Sequence, residues 1–305
     1  MQLSGKMPVS VHREMKATTM IGIILQEIRV KQYTKNVLVY AAPLFSGTLL
    51  VPDMLKRSTL AFVSFCLVAS AVYILNDILD REKDRQHPTK CHRPIASGQL
   101  SLVMAIGIFC TLLLAAGVLS WLVRPGLTAL LAGYFLMNIA YSVRLKHIVL
   151  VDVMIIAAGF VMRAFAGTIA IGVGASSWFV VCVFMLSMFL ALAKRRSEMV
   201  LLSEHPGRQR RVLQDYSLEL VNQLLTVVTA IAVTSYSLFA IQADDVAEPF
   251  MLVTVPLVVY GIFRYLYLIH SKGLGGKPEE VLLKDKGILC TCLMFFVCIM
   301  VIRDL

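Results

Sequence analysis

About nine apolar runs follow one another along this chain, at 36–52, 59–79, 100–123, 127–143, 148–171, 177–193, 217–241, 249–269 and 287–303. Each approaches the roughly 20 residues a helix needs to cross a hydrocarbon core. In lipid, a backbone that leaves its own polar groups unpaired is excluded, which leaves helices and closed barrels. Runs of this length predict an all-α fold, a polytopic membrane bundle of about nine transmembrane helices. Composition agrees: mean hydropathy is +0.77 and 16% of residues are charged, against roughly 25% in soluble domains. No polar stretch is long enough to fold by itself. Residues 1–35 therefore read as a polar segment preceding one membrane domain at 36–305, with no apolar core and cleavage site of a removable signal peptide.

The net charge of +10 would suggest nucleic acid in a soluble protein, but its distribution points elsewhere. With the N-terminus in the cytoplasm, 23 of the 29 Lys and Arg fall in residues 1–35 and in the loops 80–98, 141–147, 194–214 and 270–286. Only Lys56, Arg57, Arg124 and Arg303 fall on the other side, while Arg163 and Arg264 lie inside spans. That asymmetry is the positive-inside bias. It predicts a multi-pass protein of the plasma (inner) membrane with its chemistry on the cytoplasmic face, and it makes nucleic-acid binding unnecessary. Six of the seven cysteines lie in apolar runs as small hydrophobes, and Cys91 stands alone, so neither a disulfide framework nor a thiolate metal site is expected. Pro43 and Pro256 fall inside runs and should kink them, and the small residues around AFAG at 164–167 should permit close helix packing.

The densest chemistry lies at 76–98, NDILDREKDRQHPTKCHRPIASG, directly after an uncharged run. Asn76, Asp80 and Asp84 repeat every four residues, and Asp77 joins them at i+3 and i+7, so one helical face carries three carboxylates and an amide. These are hard oxygen ligands of the kind Mg²⁺ takes. Lys90 and Arg93 follow and suit phosphate oxygens. The bland alternative is a solvated helix end whose acids pair with Arg81, Lys83 and Arg85. Glu82 lies off the face. At the same end Tyr141, Arg144 and Lys146 form a short loop, with Asp152 placed to orient one of its cations. Arg163 lies within a span, where an ionisable residue is expected to face a cavity or a buried partner. Lys194, Arg195 and Arg196 open the loop at 194–214, which continues with Arg208, Arg210 and Arg211. They read as phosphate ligands or as topology charges. In the loop at 270–286, Glu279, Glu280 and Asp285 follow flexible glycines and read as a lid or as a solvated loop.

The pattern NDxxDxxxD at the end of the second run, followed by KCHRPIASG, resembles the first aspartate-rich motif and the K-x-x-R-P signature of UbiA-type polyprenyl transferases. The resemblance extends from EIRVKQYTKN at 27–36 to the last run. Within that superfamily, QYTKNVLVYAAPLFSG, YSVRLKHIVLVDV, FVMRAFAG and LALAKRRSEM are similar to the decaprenyl-phosphate phosphoribosyltransferase branch. The resemblance implies a UbiA-like bundle holding Mg²⁺ on Asn76, Asp77, Asp80 and Asp84, with the aspartates as catalytic residues. It implies phosphate binding by Lys35, Asn36, Lys90, Arg93, Tyr141, Lys146, Arg163, Lys194 and Arg195. The implied substrates are phosphoribosyl diphosphate (PRPP) and a polyprenyl phosphate, with membrane lipid around the protein; a homo-oligomer is compatible with it. One departure stands out. Aromatic prenyltransferases of this type carry a second acidic motif after the sixth helix, where this chain has AKRRSEM at 193–199. A basic cluster there fits substrates rich in phosphate. Two alternatives stay open at this point: an aromatic-acceptor polyprenyltransferase using a prenyl diphosphate, and a lipid-phosphate transporter or flippase.

Overall fold

The computed structural model describes residues 19–204, 215–243, 248–272, 281 and 284–304, and among these the regular structure is helical throughout. Helix α1, Met20–Glu27, is capped by Thr19, whose hydroxyl accepts from the Gly22 amide. Arg29 then adopts a left-handed conformation (φ 54°, ψ 50°), and the chain tightens into a 3-10 stretch, Val30–Tyr40, before the short α2, Ala41–Phe45. Eight longer helices are each apolar enough to cross a membrane. They are α3 (Pro52–Leu79), α6 (Leu102–Val123), α7 (Pro125–Val143), α8 (Val151–Ile171), α9 (Ser177–Glu204), α10 (Leu218–Ile241), α12 (Val255–Ser271) and α13 (Lys286–Asp304). Short turns α4 (Arg81–Arg85), α5 (Pro94–Ser97) and α11 (Glu248–Met251) complete the order. The chain is a multi-pass membrane protein.

The first apolar run differs from its expected form. It is not one α-helix over 36–52 but a 3-10 stretch followed by a single α segment ending at Phe45. A 3-10 helix rises about 2.0 Å per residue and an α-helix about 1.5 Å, so the two pieces together extend about 30 Å, the thickness of a hydrocarbon core. Pro43 explains part of the irregularity, because it has no N–H for the Val39 carbonyl four residues back. Pro256 lies in the first turn of α12, directly after a 3-10 turn at Leu252–Thr254, so the helix changes character at this proline.

Two packed clusters share α8. One joins α3, α6, α7 and α8 through Phe65, Val68, Ala116, Leu127, Leu131 and Ala166. The other joins α8, α9, α10, α12 and α13 through Val153, Phe189, Leu225, Leu268 and Ile288. The buried face of α8 is rich in Ala and Gly, which lets neighbours approach closely. Gly167 is the tightest case. A Cβ there would lie well inside van der Waals contact with the carbonyl oxygen of Val39, the residue four before Pro43. The small-residue expectation at 164–167 therefore has a specific cause: α8 receives an irregular backbone.

Candidate active site

The carboxylates gather where α3 ends. Its last residue is Leu79, and Asp80 is the junction to α4. The Asp80 N–H donates to the Asn76 carbonyl (2.9 Å) and the Asp84 N–H to the Asp80 carbonyl (2.8 Å), so helical spacing persists across the break. The expected single face is nonetheless divided. Asp77 and Asp84 are buried, with 3% of their surface exposed, whereas the Asp80 side chain is 33% exposed. Arg93 bridges the buried pair, its Nη1 donating to Asp77 Oδ1 (2.9 Å) and Asp84 Oδ2 (2.6 Å). Asp80 instead faces two lysines, Lys83 and Lys146, each at 3.8 Å. Lys90 stands 3.8 Å from Asp84. Glu82 pairs with Arg85 on the exposed side, away from the cluster.

The loop that delivers Arg93 is held by local chemistry. Pro94 opens α5, Gly98 closes it in the left-handed region (φ 81°), and Ile95 is buried against Ile74 and Leu100. Anchoring Ile95 turns Arg93 back onto α3.

Two neighbours of this cluster were not among the expected site residues. Arg29 donates from Nη2 to both oxygens of Asp77 (2.6 and 2.8 Å), and its guanidinium lies 4.7 Å from the Tyr73 ring. Its left-handed backbone makes the turn between α1 and the 3-10 stretch, and Ser70 anchors that turn by donating to the Ile28 carbonyl (2.8 Å). Glu27 is 1% exposed, and neither of its carboxylate oxygens has a hydrogen-bond partner. Burial, reinforced by the nearby Asp77 carboxylate, pushes its carboxyl up to about 7. In sequence both residues belong to the polar approach to the first run, and only the tertiary turn brings them to Asp77.

Beside this mouth lies a polar cavity of about 270 Å³ between α7, α8, α9 and the 3-10 stretch. Lys35, Tyr141, Arg163, Lys194 and Arg195 line it together with Asn138, and no carboxylate does. Arg163 is 7% exposed. Its Nε donates to Asn36 Oδ1 (2.7 Å) and its Nη2 to the Tyr134 hydroxyl (3.0 Å). The rings of Phe65, Phe160 and Tyr134 surround the guanidinium at 5.0 to 5.3 Å. An amide, a phenol and three ring faces hold this cation, and among the described residues no acid neutralises it. Asn36 is itself buried and also donates to Cys66 Sγ (3.1 Å), so its place is behind Arg163. The guanidinium thus retains its full charge toward the cavity, where an anion gains most from it.

Lys194 and Arg195, adjacent in sequence, differ in kind. Lys194 is half-buried on the cavity wall and makes no ion pair among the described residues. Arg195 also touches the wall, but its Nε donates to Asp152 (2.9 Å) and its Nη1 to Glu198 (2.6 Å). Asp152 is fully buried and also accepts from the Tyr216 hydroxyl (2.8 Å). Asp152 therefore orients Arg195, not Lys146 or Arg144 as its sequence position suggested; Lys146 is held by Asp80. Arg196 donates to Asn222 and to the Ile269 carbonyl, tying α9 to α10 and α12. Arg264, expected inside a span, pairs with Asp285 (2.9 Å) just before α13. Arg208, Arg210, Arg211, Glu279 and Glu280 lie outside the described residues.

A second, apolar cavity of about 410 Å³ lies deeper, lined by Leu38, Phe45, Phe179, Tyr236, Phe239 and Phe295. Leu190 lines both cavities, which therefore adjoin. Acid mouth, cationic chamber and apolar chamber form one series.

Residues 37–278 match the model of the UbiA prenyltransferase family. The chain belongs to that family. Among similar UbiA-family proteins are the decaprenyl-phosphate phosphoribosyltransferases of Mycolicibacterium smegmatis, 33% identical over 88% of each chain, and of Corynebacterium glutamicum, 34% identical over 90% of this chain and 85% of that one. A UbiA homologue from Archaeoglobus fulgidus, solved bound to GPP and Mg²⁺, shares the fold with a TM-score of 0.72 at 18% identity, covering 93% of this chain and all of that one.

Whether the acidic cluster suits a divalent cation is tested by its own chemistry. No three acidic, His or Cys side chains among the described residues converge closely enough to enclose an ion as they stand. Arg93 and Arg29 occupy the space between the carboxylates. The donor set is nevertheless of the right kind, an amide and three aspartates of hard oxygen. The buried, unpartnered Glu27 adds a third buried carboxylate beside two guanidiniums. The donor set suits a divalent cation, which would take the place of the Arg29 and Arg93 guanidiniums between the carboxylates.

Proposed function

We propose that this UbiA-family protein is a polyprenyl-phosphate phosphoribosyltransferase, moving 5-phosphoribose from PRPP to a decaprenyl-like phosphate and releasing diphosphate. The observation that carries this reading is the carboxylate-free chamber holding Arg163, Lys35 and Lys194 between the acidic mouth and the apolar cavity. Substrates that bear a 5-phosphate, a diphosphate and a lipid phosphate need such a run of cations, and an isoprenoid tail needs the apolar neighbour. The similarity to decaprenyl-phosphate phosphoribosyltransferases over nearly the whole chain supports the same reading.

In this reading Asn76, Asp77, Asp80 and Asp84 hold Mg²⁺, which, when bound, neutralises the diphosphate and improves it as a leaving group. Arg93, Lys90 and Lys146 stand at the rim to receive phosphate oxygens, while Lys35, Arg163 and Lys194 hold anionic groups deeper in. Two substrates that repel each other are thereby kept in line, which is the main catalytic task. The C1–O bond to diphosphate breaks with its electron pair leaving on that oxygen. A lipid phosphate oxygen forms the new bond to C1 from the opposite face, so the anomeric centre inverts. No general base is required, because a phosphate monoester with second pKa about 6 is largely dianionic at neutral pH. In this reading the site opens to the cytoplasm, the side that the charge bias of the loops favours.

The test is incubation of purified protein in detergent with Mg²⁺, labelled PRPP, and a panel of polyprenyl phosphates and diphosphates. A lipid product heavier by one phosphoribosyl group is expected. Prenylation of an added aromatic acceptor, or movement of lipid phosphate without product, would replace the proposal with one of the two alternatives.

A further inference from the structure

Glu27 has no part in the reaction as described above, yet it is the most anomalous side chain in the site. A buried carboxylate without a hydrogen bond is costly unless a cation or a proton meets it. Both cations within reach are already engaged. Arg29 spends its Nη2 on the two oxygens of Asp77, and Arg93 spends its Nη1 on Asp77 and Asp84. Glu27 receives no donor from Arg29 or Arg93 and instead lies against the Asp77 carboxylate, within hydrogen-bonding reach when one of the two is protonated. It also reaches the cluster from a separate segment. Glu27 ends α1, and the Ser70 bond to the Ile28 carbonyl, with the left-handed turn at Arg29, holds that end against α3.

We propose that Glu27 is a further carboxylate ligand of the divalent cation held at the α3 terminus, supplied by the N-terminal segment. The inference rests on the metal site of the proposed function and extends it. With a cation between them, Asp77 and Glu27 share a positive partner instead of facing each other. Arg29 and Arg93 are then released from the carboxylates toward the phosphate groups of the substrate. The segment before the first crossing becomes part of the site.

The experiment measures Mn²⁺ binding to the full-length protein in detergent by electron paramagnetic resonance, with inorganic diphosphate present. Wild type is compared with Glu27→Gln, Glu27→Asp and, as a control, Asp77→Asn. Thermal unfolding of each variant without metal confirms folding. Glu27→Gln keeps the size of the side chain and removes a buried charge, so its metal-free unfolding temperature should equal or exceed that of wild type. Its Mn²⁺ affinity should fall roughly tenfold or more, the range typical for losing a group that supports a metal site, and Glu27→Asp should recover part of the loss. Wild-type Mn²⁺ affinity in Glu27→Gln, with loss in Asp77→Asn, would overturn the assignment of Glu27 while leaving the metal site standing. Unchanged affinity in both variants would overturn the metal site itself, and the proposal with it.

Discussion

Lys194 and Arg195 are neighbours in a basic cluster, and the structure predicts opposite consequences for removing them. Asp152 is fully buried and takes its countercharge from Arg195, with a further hydrogen bond from the Tyr216 hydroxyl. Arg195→Ala leaves that carboxylate and Glu198 without their cation. Breaking a buried ion pair by removing one partner costs roughly 3–5 kcal/mol, because the remaining charge stays buried. The unfolding midpoint in detergent should therefore drop by many degrees. Asp152→Asn combined with Arg195→Ala should recover much of that loss, since the second change removes the stranded charge. Lys194→Ala strands nothing and should unfold like wild type. Its cost falls on binding instead: one charge-assisted contact of about 1.5–3 kcal/mol corresponds to a roughly ten- to hundredfold weaker apparent affinity for a phosphate-bearing substrate. The assay pairs thermal unfolding with initial rates over a PRPP and lipid-phosphate titration. If Arg195→Ala unfolds at the wild-type temperature, or if Lys194→Ala destabilises while leaving affinity intact, the division of labour read from the structure is wrong.

Other outcomes follow from the same geometry. Gly167→Ala should lose about 1–3 kcal/mol or more of stability, since a backbone oxygen cannot yield as a side chain does, whereas Gly117→Ala, with open space around it, should be neutral in the same unfolding assay. Arg163→Gln should weaken substrate affinity roughly tenfold or more; Arg163→Lys should not rescue it, because an ammonium cannot reach Asn36 and Tyr134 together as the planar guanidinium does. Asp80→Ala should abolish turnover with little change in unfolding, because Asp80 is partly exposed and its ion pairs are with two lysines at 3.8 Å. Chelation with EDTA should stop turnover reversibly without loss of helical circular dichroism; persistent activity after exhaustive chelation would remove the case for a metal.

What could be read from the sequence follows from interactions short in range. Apolar length decides that a segment crosses a membrane, and eight of the expected runs carry a helical span long enough to do so. Spacing by four brings Asp80 and Asp84 to the end of α3, because the backbone hydrogen bonds Asn76 to Asp80 and Asp80 to Asp84 continue through the break. The intramembrane position of Arg163 and the basic character of 194–196 are likewise legible one residue at a time. The partners are not, because which charge meets which depends on helices far apart in the chain. Only tertiary packing assigns Asp152 to Arg195 rather than to Lys146, and sets Asn36 behind Arg163 across 127 positions. Nor does the sequence reveal that the first run is a 3-10 stretch, since that shape answers to Pro43 and to the close approach of Gly167 together. Glu27 and Arg29 read as ordinary charges ahead of an apolar run. A left-handed turn at Arg29 carries them 48 to 50 positions along the sequence to Asp77, where Glu27 is buried and Arg29 is paired.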